Sequence, residues 1–395
     1  MSDTLFLQFY SKSRFEGYYD LGNGFSDTYD LCKSKGDFHW MEYDGLLWST
    51  AGKLMKSQGE LENCENVKLP IKKGTIYVSA IYVIHVYQCF IWAKQHPDIK
   101  FIVGGPALIS ELFIMREEYP SNMTLTTDSV EQLFNVPNFS GEWKLDIPEK
   151  VKDEDIVFAY TLDTTCYWKK CTYCNYAFCR SRVRDDVKFG FENLKHNGLK
   201  TIKLNSPAFT PKMLREIIPK LPIDDLIKYN LYIRSGKAEN IALREIIKDS
   251  EDKSMIFVSG IEYPSDRVLK MINKGITVNE ILDTIDIFKT SKHDLYLIMI
   301  LFWDDLHESD IEAVAEFMNH VPVDMRLGVT RIFVKPYTQL YGQYEVGTEV
   351  NIGPFHLGYI PKISEEQMGM SRRVREIIRT HPNLLDYTKG NISYE

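Results

Sequence analysis

Short apolar runs alternate with amphipathic stretches along most of the chain. β-Branched and aromatic residues over 75–80 and apolar residues over 100–103 predict buried strands, and residues 4–10 predict a further one. The stretch 81–95 has the length and composition of a helix, and a second helix is predicted over 108–117. Strand, helix and strand at this short spacing predict a βαβ unit with a parallel sheet.

Beyond residue 150 the same alternation is repeated about six times. The predicted strands cover 155–160, 200–205, 230–234, 255–260, 294–302 and 326–334, and the predicted helices cover 186–197, 211–220, 239–250, 265–273, 279–290 and 309–320. A complete barrel needs eight such units, so this count predicts a partial barrel. The polar segment 135–152, which contains two prolines, predicts a domain boundary.

The predicted fold class is therefore α/β. We expect a small Rossmann-like α/β domain over 1–150, a partial (β/α)6 barrel over 151–340 and a C-terminal capping segment over 341–395.

Composition and charge restrict the kind of protein. The chain has 395 residues, 44% hydrophobic and 26% charged, as in ordinary soluble globular proteins. Its net charge of -8 argues against a broad nucleic-acid surface, which needs clustered Lys and Arg. The polar N-terminus predicts no signal peptide, and the longest apolar stretch, Ile76–Trp92, is short for a membrane span. We expect a cytoplasmic protein that binds neither nucleic acid nor membrane.

Four of the seven cysteines lie between Cys166 and Cys179. In a reducing compartment, such closely spaced cysteines predict metal or redox chemistry. Cys166, Cys171 and Cys174 have the spacing Cys-x4-Cys-x2-Cys, and three thiolates can hold three irons of a 4Fe-4S cluster. The fourth iron would be open to the amino and carboxylate groups of S-adenosylmethionine (AdoMet, or SAM). Two alternatives stay open: a zinc site completed by Cys179, and buried, inert thiols.

The cysteine segment resembles the radical SAM superfamily signature, Cys-x3-Cys-x2-Cys with an aromatic residue before the last cysteine. Tyr173 fills the aromatic position, and the first interval is one residue longer than usual. Residues 259–277 (SGIEYPSDRVLKMINKGIT) resemble a second stretch of that superfamily, GIESGSDRVLKxMNKGxT. The resemblance implies that Tyr173, Glu262 and Ser265 lie near the cofactors, although Tyr263-Pro264 replaces Ser-Gly.

Other AdoMet contacts are implied by position alone. After the second barrel strand the superfamily often has Gly-Gly-Glu, which binds the methionine amine through backbone carbonyls. The equivalent place here holds Asn205 and Ser206. Arg234 ends the third predicted strand, where its guanidinium could pair with a carboxylate. A salt bridge at the barrel rim is the alternative for Arg234.

The N-terminal half resembles a reduced cobalamin-binding domain, on the strand that carries Ser79 and on the sequence FIVGGP over 101–106. Such domains often carry Asp-x-His-x-x-Gly, whose histidine ligates cobalt. Asp37-Phe38-His39 stands at a plausible distance, but Glu42 replaces the glycine. We therefore expect a remnant domain without bound cobalamin, used for architecture or for peptide binding.

The whole chain resembles radical SAM enzymes that mature ribosomally synthesised peptides (RiPP maturases). This implies a precursor peptide as substrate, a flavodoxin- or ferredoxin-type reducing partner and a small accessory protein. The main hypothesis is hydrogen abstraction followed by backbone modification, such as tyrosine excision. Peptide epimerisation is an alternative, but no cysteine follows Cys179 to return a hydrogen atom.

Cys179 and Tyr337 are the candidate catalytic residues of this hypothesis. Tyr337 follows the last predicted strand with Tyr341 and Tyr344, and all three could equally be packing residues. A cobalamin-dependent radical SAM methyltransferase is the other enzymatic alternative, and a zinc-stabilised binding module is the non-enzymatic one.

Overall fold

The computed structural model describes thirteen stretches of the chain. These are residues 4–12, 18–20, 35–42, 69, 74–80, 83–105, 107–108, 113–128, 130–135, 155–161, 166–177, 201–221 and 228–386. The predicted helix over 186–197, Cys179 and all but the first residue of the predicted boundary segment over 135–152 lie outside them.

The elements within these stretches are numbered in chain order. The strands are β1 (Thr4–Lys12), β2 (Tyr18–Asp20), β3 (Asp37–Glu42), β4 (Gly74–Ser79), β5 (Ile99–Gly104), β6 (Ile114–Met115), β7 (Met123–Leu125), β8 (Asp155–Thr161), β9 (Thr201–Asn205), β10 (Lys228–Ile233), β11 (Ser254–Glu262), β12 (Asp294–Leu301), β13 (Arg326–Arg331), β14 (Val346–Ile352), β15 (Phe355–Pro361) and β16 (Leu384–Asp386). The helices are α1 (Val83–Gln95), α2 (Val130–Leu133), α3 (Pro211–Ile217), α4 (Lys237–Asp249), α5 (Asp266–Met271), α6 (Val278–Lys289), α7 (Glu308–Met318) and α8 (Glu365–Arg379), with 3-10 turns at Asn175–Ala177 and Ile218–Lys220.

Most of the described strands form one sheet with two parallel halves. The C-terminal half runs β2-β8-β9-β10-β11-β12-β13-β16, so the six predicted barrel strands lie side by side in chain order. The N-terminal half runs β3-β1-β4-β5-β7, also in parallel. β2 joins the halves, because it pairs antiparallel with β1 and parallel with β8. The predicted α/β class with a partial barrel is confirmed.

The barrel helices begin where local chemistry caps them. The Thr277 hydroxyl accepts a hydrogen bond from the Glu280 amide, and the Glu280 carboxylate accepts one from the Thr277 amide, which forms a capping box at α6. α6 then buries an apolar stripe (Ile281, Ile285 and Phe288) against the strands. Such packing places the helices on one face of the barrel sheet and leaves the strand ends free to form a site.

The C-terminal segment contributes residues to two separate hydrophobic cores. The β14–β15 hairpin packs Val350, Ile352 and Phe355 into the core of the N-terminal half. α8 instead packs Val374 and Ile378 into the barrel core. Residues 341–386 therefore contribute to both cores, and the division of the chain into three domains stays a prediction.

The predicted helix over 108–117 is wrong at its C-terminal end. Ile114 and Met115 form β6, which pairs antiparallel with His356 and Phe355 of β15. The apolar residues that suggested a helix cover the hairpin instead. Their backbone hydrogen bonds are made with β15, some 240 residues away. Within the described residues, no helix has the length and apolarity needed to cross a bilayer.

Candidate active site

The three motif cysteines lie together on the loop that follows β8. Cys166, Cys171 and Cys174 are half-buried free thiols, and the Cys174 amide donates a hydrogen bond to the Cys171 carbonyl at 3.3 Å. Within the stretches described above, no three His, Cys, Asp or Glu side chains converge on a single metal ion. A cubane cluster does not require the three thiolates to meet at one ion, since each thiolate binds its own iron. Three half-buried thiols on one loop fit that donor set.

Burial keeps two of these thiols protonated in the absence of iron. It raises the pKa of Cys174 to about 12, against the hydrogen bond from the Tyr176 backbone. It also raises the pKa of Cys171, against the positive charge of Lys274. Loading iron must therefore release protons from this loop.

Backbone hydrogen bonds dock the cysteine loop on two neighbouring segments. The Thr172 amide donates to the Ile272 carbonyl at 3.0 Å, just beyond α5. The Leu340 amide donates to the Thr172 carbonyl at 3.2 Å, beyond β13. The loop is thus held at the carboxyl ends of the barrel strands, where parallel α/β folds place their ligands.

Glu262, Lys274 and Tyr173 form a buried polar group beside the cysteines. Lys274 Nζ lies 2.6 Å from Glu262 Oε1 and 3.3 Å from the Tyr173 hydroxyl. Burial opposes the charge on Lys274, but the Glu262 carboxylate holds the lysine pKa above its usual value. Lys274 therefore stays protonated, next to thiolates that would carry negative charge once iron is bound.

The backbone at the end of β11 is shaped to place Glu262. Its φ is +60°, a left-handed conformation, and the pairing with β12 shifts register between Gly260 and Glu262. A Cβ at Gly260 would come within 2.5 Å of Glu262 Oε1, so a larger residue there would displace the carboxylate from its observed position. Strained backbone of this kind concentrates at functional sites.

Arg234 supports the loop. Its Nη2 donates to the carbonyls of Lys274 at 2.7 Å and Gly275 at 2.5 Å, and its guanidinium lies 4.1 Å from the Trp168 ring centroid. It also forms a buried ion pair with Glu239 at 3.7 Å. Nη2 is thus committed within the protein, while Nε is buried without a hydrogen-bond partner, and a role of Arg234 in binding AdoMet stays a prediction.

The two predicted serines are also engaged in internal contacts. The Ser265 hydroxyl donates to Asp310 Oδ1 at 2.5 Å and caps α5 through the Val268 amide. The Ser206 hydroxyl is buried and donates to the Ala208 carbonyl at 3.3 Å. Asn205 ends β9, opposite Thr161 of β8, where its backbone faces the cysteine-bearing end of the sheet.

Replacing Ser265 with alanine is expected to lower the free energy of unfolding by about 1–2 kcal/mol, because a helix cap and a hydrogen bond to a buried carboxylate are lost. The affinity for AdoMet is expected to stay unchanged. Chemical denaturation and equilibrium binding of AdoMet test the two effects separately. A tenfold loss of affinity with unchanged stability would make Ser265 a ligand instead of a cap.

Tyr337 lies away from the polar group around Glu262. Its side chain is 55% exposed, its φ is +65°, and its electrostatic neighbours are Tyr119 and Tyr341. A catalytic role for Tyr337 and for Cys179, which is outside the described residues, stays a prediction. Sequence reasoning missed Trp168 and Lys274, although both stand inside the two quoted motifs.

The N-terminal half has a switch point in its strand order. The strands lie in the order β3-β1-β4-β5-β7, so the chain adds strands on one side of β1 and then on the other. Doubly wound sheets bind ligands at the carboxyl ends of the strands at such a point. The Ser79 hydroxyl at the end of β4 is buried without a hydrogen-bond partner. Gly105 follows β5 with a φ of +98°, and a Cβ there would lie 2.7 Å from the Ala80 carbonyl oxygen. A buried, unpartnered hydroxyl at the switch point fits a bound ligand.

Asp37-Phe38-His39, the candidate cobalt-binding motif, is part of a strand and does not form a loop at the switch point. These residues belong to β3, and His39 pairs with Leu7 of β1.

Comparisons with known proteins agree with this architecture. No protein-family model matches the chain. The ribosomal protein uS12 methylthiotransferase RimO of Clostridioides difficile (strain 630) is 23% identical over 319 residues, which cover 74% of this chain and 67% of RimO.

Two solved proteins share the fold. The radical S-adenosylmethionine methyltransferase TsrM from Kitasatospora setae, with tryptophan and a SAM analogue bound, has a TM-score of 0.60 at 11% identity and covers 97% of this chain and 91% of its own. The cobalamin-dependent radical enzyme OxsB, with aqua-cobalamin and S-adenosylmethionine bound, has a TM-score of 0.50 at 12% identity over 96% of this chain. This chain spans 56% of OxsB.

These structures overturn the expectation that the N-terminal domain lacks cobalamin. OxsB contains aqua-cobalamin, and a second TsrM structure, with a TM-score of 0.52, contains cobalamin and a [4Fe-4S] cluster. The expectation was wrong because it relied on the Asp-x-His-x-x-Gly motif alone. The strand order of the N-terminal half, which a short motif does not report, is part of the fold that these structures share.

Proposed function

We propose that this chain, which has the fold and the cysteine motif of the radical SAM superfamily, is a cobalamin-dependent radical SAM methyltransferase. One observation carries the proposal: a doubly wound sheet, with a buried and unpartnered hydroxyl at its switch point, is joined strand to strand through β2 to a partial barrel that bears three cysteines. One continuous sheet with two candidate cofactor sites would suit a reaction that uses two cofactors. This proposal replaces peptide backbone modification as the leading hypothesis.

The residues that would hold each group can be assigned. Cys166, Cys171 and Cys174 would hold the 4Fe-4S cluster, whose open iron would bind AdoMet. Ser79 and Gly105 would line the corrinoid site. When bound, the reduced cluster supplies the electron that cleaves AdoMet, and the corrinoid supplies a methyl group.

The residues of the chain itself orient and shield the reacting groups. The buried Glu262–Lys274 pair fixes charge beside the cysteine loop without water between the partners. The barrel strands alternate core residues with residues of the opposite face, so Asn230 and Tyr232 of β10 point away from the helices. Asn230 Oδ1 is buried without a hydrogen-bond partner. This polar, partly aromatic face is the proposed substrate surface.

A peptide or protein substrate remains the proposal for the methyl acceptor. The name of RimO specifies a ribosomal protein, which supports a polypeptide, while TsrM was solved with tryptophan. An indole or another aromatic side chain within a peptide would agree with the substrates of both similar proteins. It would also fit the aromatic face at Tyr232. We further propose a flavodoxin- or ferredoxin-type protein as the electron source.

The test is anaerobic reconstitution with iron, sulfide and hydroxocobalamin, followed by gel filtration. We expect about one cluster and one corrinoid per chain, measured by iron content and by the corrin absorption bands. With dithionite and methyl-deuterated AdoMet, we expect 5′-deoxyadenosine and S-adenosylhomocysteine, quantified by mass spectrometry.

Ser79→Leu is the matched variant, because it places a larger side chain at the proposed corrinoid site and leaves the cysteine loop untouched. It should lose the corrinoid and keep the cluster. A wild-type protein that binds the cluster and produces 5′-deoxyadenosine, but retains no corrinoid, would overturn the methyltransferase proposal and restore peptide backbone modification.

A further inference from the structure

The four-residue interval between Cys166 and Cys171 contains a half-buried tryptophan with specific anchors. Trp168 Nε1 donates to the Asn273 carbonyl at 2.9 Å. The Arg234 guanidinium lies 4.1 Å from its ring centroid, and Lys170 Nζ lies 4.7 Å from it. An indole with a satisfied N–H and two cations on its ring is held in one orientation.

Two of the anchors of Trp168, the Asn273 carbonyl and Arg234, meet at the turn that follows α5. Arg234 binds the carbonyls of Lys274 and Gly275, and Trp168 binds the carbonyl of Asn273. Lys274 of the same turn forms the ion pair with Glu262. The turn 273–275 therefore connects the cysteine loop with the ends of β10 and β11.

Gly275 is shaped to receive the indole. Its φ is +66°, and a Cβ there would lie 1.9 Å from Cζ2 of Trp168. No side chain at this position is compatible with the observed ring. Gly342 provides the comparison, because its φ is +81° and nothing lies within 4 Å of a Cβ built on it.

We propose that Trp168 is a positioning residue, whose docking against Gly275 and Arg234 fixes the first cysteine interval relative to the Glu262–Lys274 pair. This inference rests on the proposed function, because it supposes that the cysteines hold a cluster. The second half of the loop is docked by the backbone bonds of Thr172 and by the contact of Lys274 with the Tyr173 hydroxyl. Within the described residues the first half shows no backbone bond to a neighbouring segment, and the indole provides the docking contact there.

The proposal predicts local opening of the loop when the indole is removed. One hydrogen bond and one cation–π contact together correspond to about a tenfold change in the ratio of docked to open loop. A chelator reaches the irons through the open form. The rate of anaerobic iron loss to a chelator should therefore rise about tenfold in Trp168→Ala, and less in Trp168→Phe, which keeps the aromatic ring.

The measurements are made on the reconstituted holoprotein. They are iron loss to the chelator, the electron paramagnetic resonance signal of the reduced cluster with and without AdoMet, and the free energy of unfolding. Gly275→Ala is compared with Gly342→Ala, since both place alanine at a positive φ and only the first displaces Trp168. In the Trp168→Ala background, Gly275→Ala should have no further effect on iron loss.

The expected result is fast iron loss and an altered AdoMet-dependent signal in Trp168→Ala and Gly275→Ala, with the Gly342→Ala protein like wild type. Equal rates in all four proteins would overturn the inference while leaving the cluster proposal intact. Equal losses of stability in Gly275→Ala and Gly342→Ala, without a change in the resonance signal, would also overturn it. A wild-type protein that takes up no iron would instead contradict the proposed function.

Discussion

Alanine at Cys171 is expected to reduce 5′-deoxyadenosine formation to the level of a protein-free control. Two thiolates cannot hold a cubane that three would hold, and without the cluster no electron reaches AdoMet. The measurement is chromatography of the products after anaerobic reconstitution, with dithionite as reductant. Cys89→Ala is the matched control, because Cys89 is a free thiol buried in α1, within the core of the N-terminal half.

The control separates the cluster from the number of thiols. Cys89→Ala should keep the iron content and the product, at a modest cost in stability from the small cavity. A Cys171→Ala protein with wild-type product would contradict the cluster assignment. One zinc and no iron per wild-type chain would favour the zinc-stabilised binding module instead.

Removing one partner of the Glu262–Lys274 pair is expected to have the largest effect on stability. Lys274→Met should lower the free energy of unfolding by about 3–5 kcal/mol, because it leaves a buried carboxylate without its counter-ion. The side chains of Lys274 and Glu262 are only 11% and 8% exposed. Denaturant titration of the protein without its cofactors provides the measurement.

Two further variants test whether the loss of stability comes from the unpaired buried charge. The double variant Glu262→Gln, Lys274→Met should regain most of the lost stability, because neither charge is then left alone. Lys362→Met is the matched control: Lys362 Nζ is also 2.6 Å from a carboxylate oxygen, that of Glu345, but both side chains are about two-thirds exposed. Its removal should cost at most about 1 kcal/mol. Similar losses from Lys274→Met and Lys362→Met would show that burial does not govern the pair.

The barrel could be predicted from the sequence because its signals are local. Each of its strands is a short apolar run bounded by a turn, and α3, α5, α6 and α8 each begin with a side-chain cap. The cysteines were found by spacing, and Glu262 by a motif at a strand end. Its neighbour Lys274 was quoted in that motif without a role, since only the turn after α5 returns it to Glu262.

Features that depend on distant partners could not be read in this way. β6 was predicted as helix because its pairing with β15 spans some 240 positions. β2 and β3 are short, and their place in the sheet follows from β1 and β8 rather than from their own composition. The strand order of the N-terminal half, which supports a corrinoid site, is likewise a property of pairing. The contacts of Arg234 with Trp168 and with the carbonyls of Lys274 and Gly275 likewise join segments that lie 40 residues or more apart in the sequence.

The division of the C-terminal segment between two cores has a consequence for biosynthesis. Phe355 of the β14–β15 hairpin contacts Tyr87 and Phe90 of α1, so part of the apolar surface of this helix is covered by a residue more than 250 positions further along the chain. At typical elongation rates of about 5–20 residues per second, α1 waits more than ten seconds for that cover. We expect the N-terminal half to complete its core only after most of the barrel strands have been synthesised.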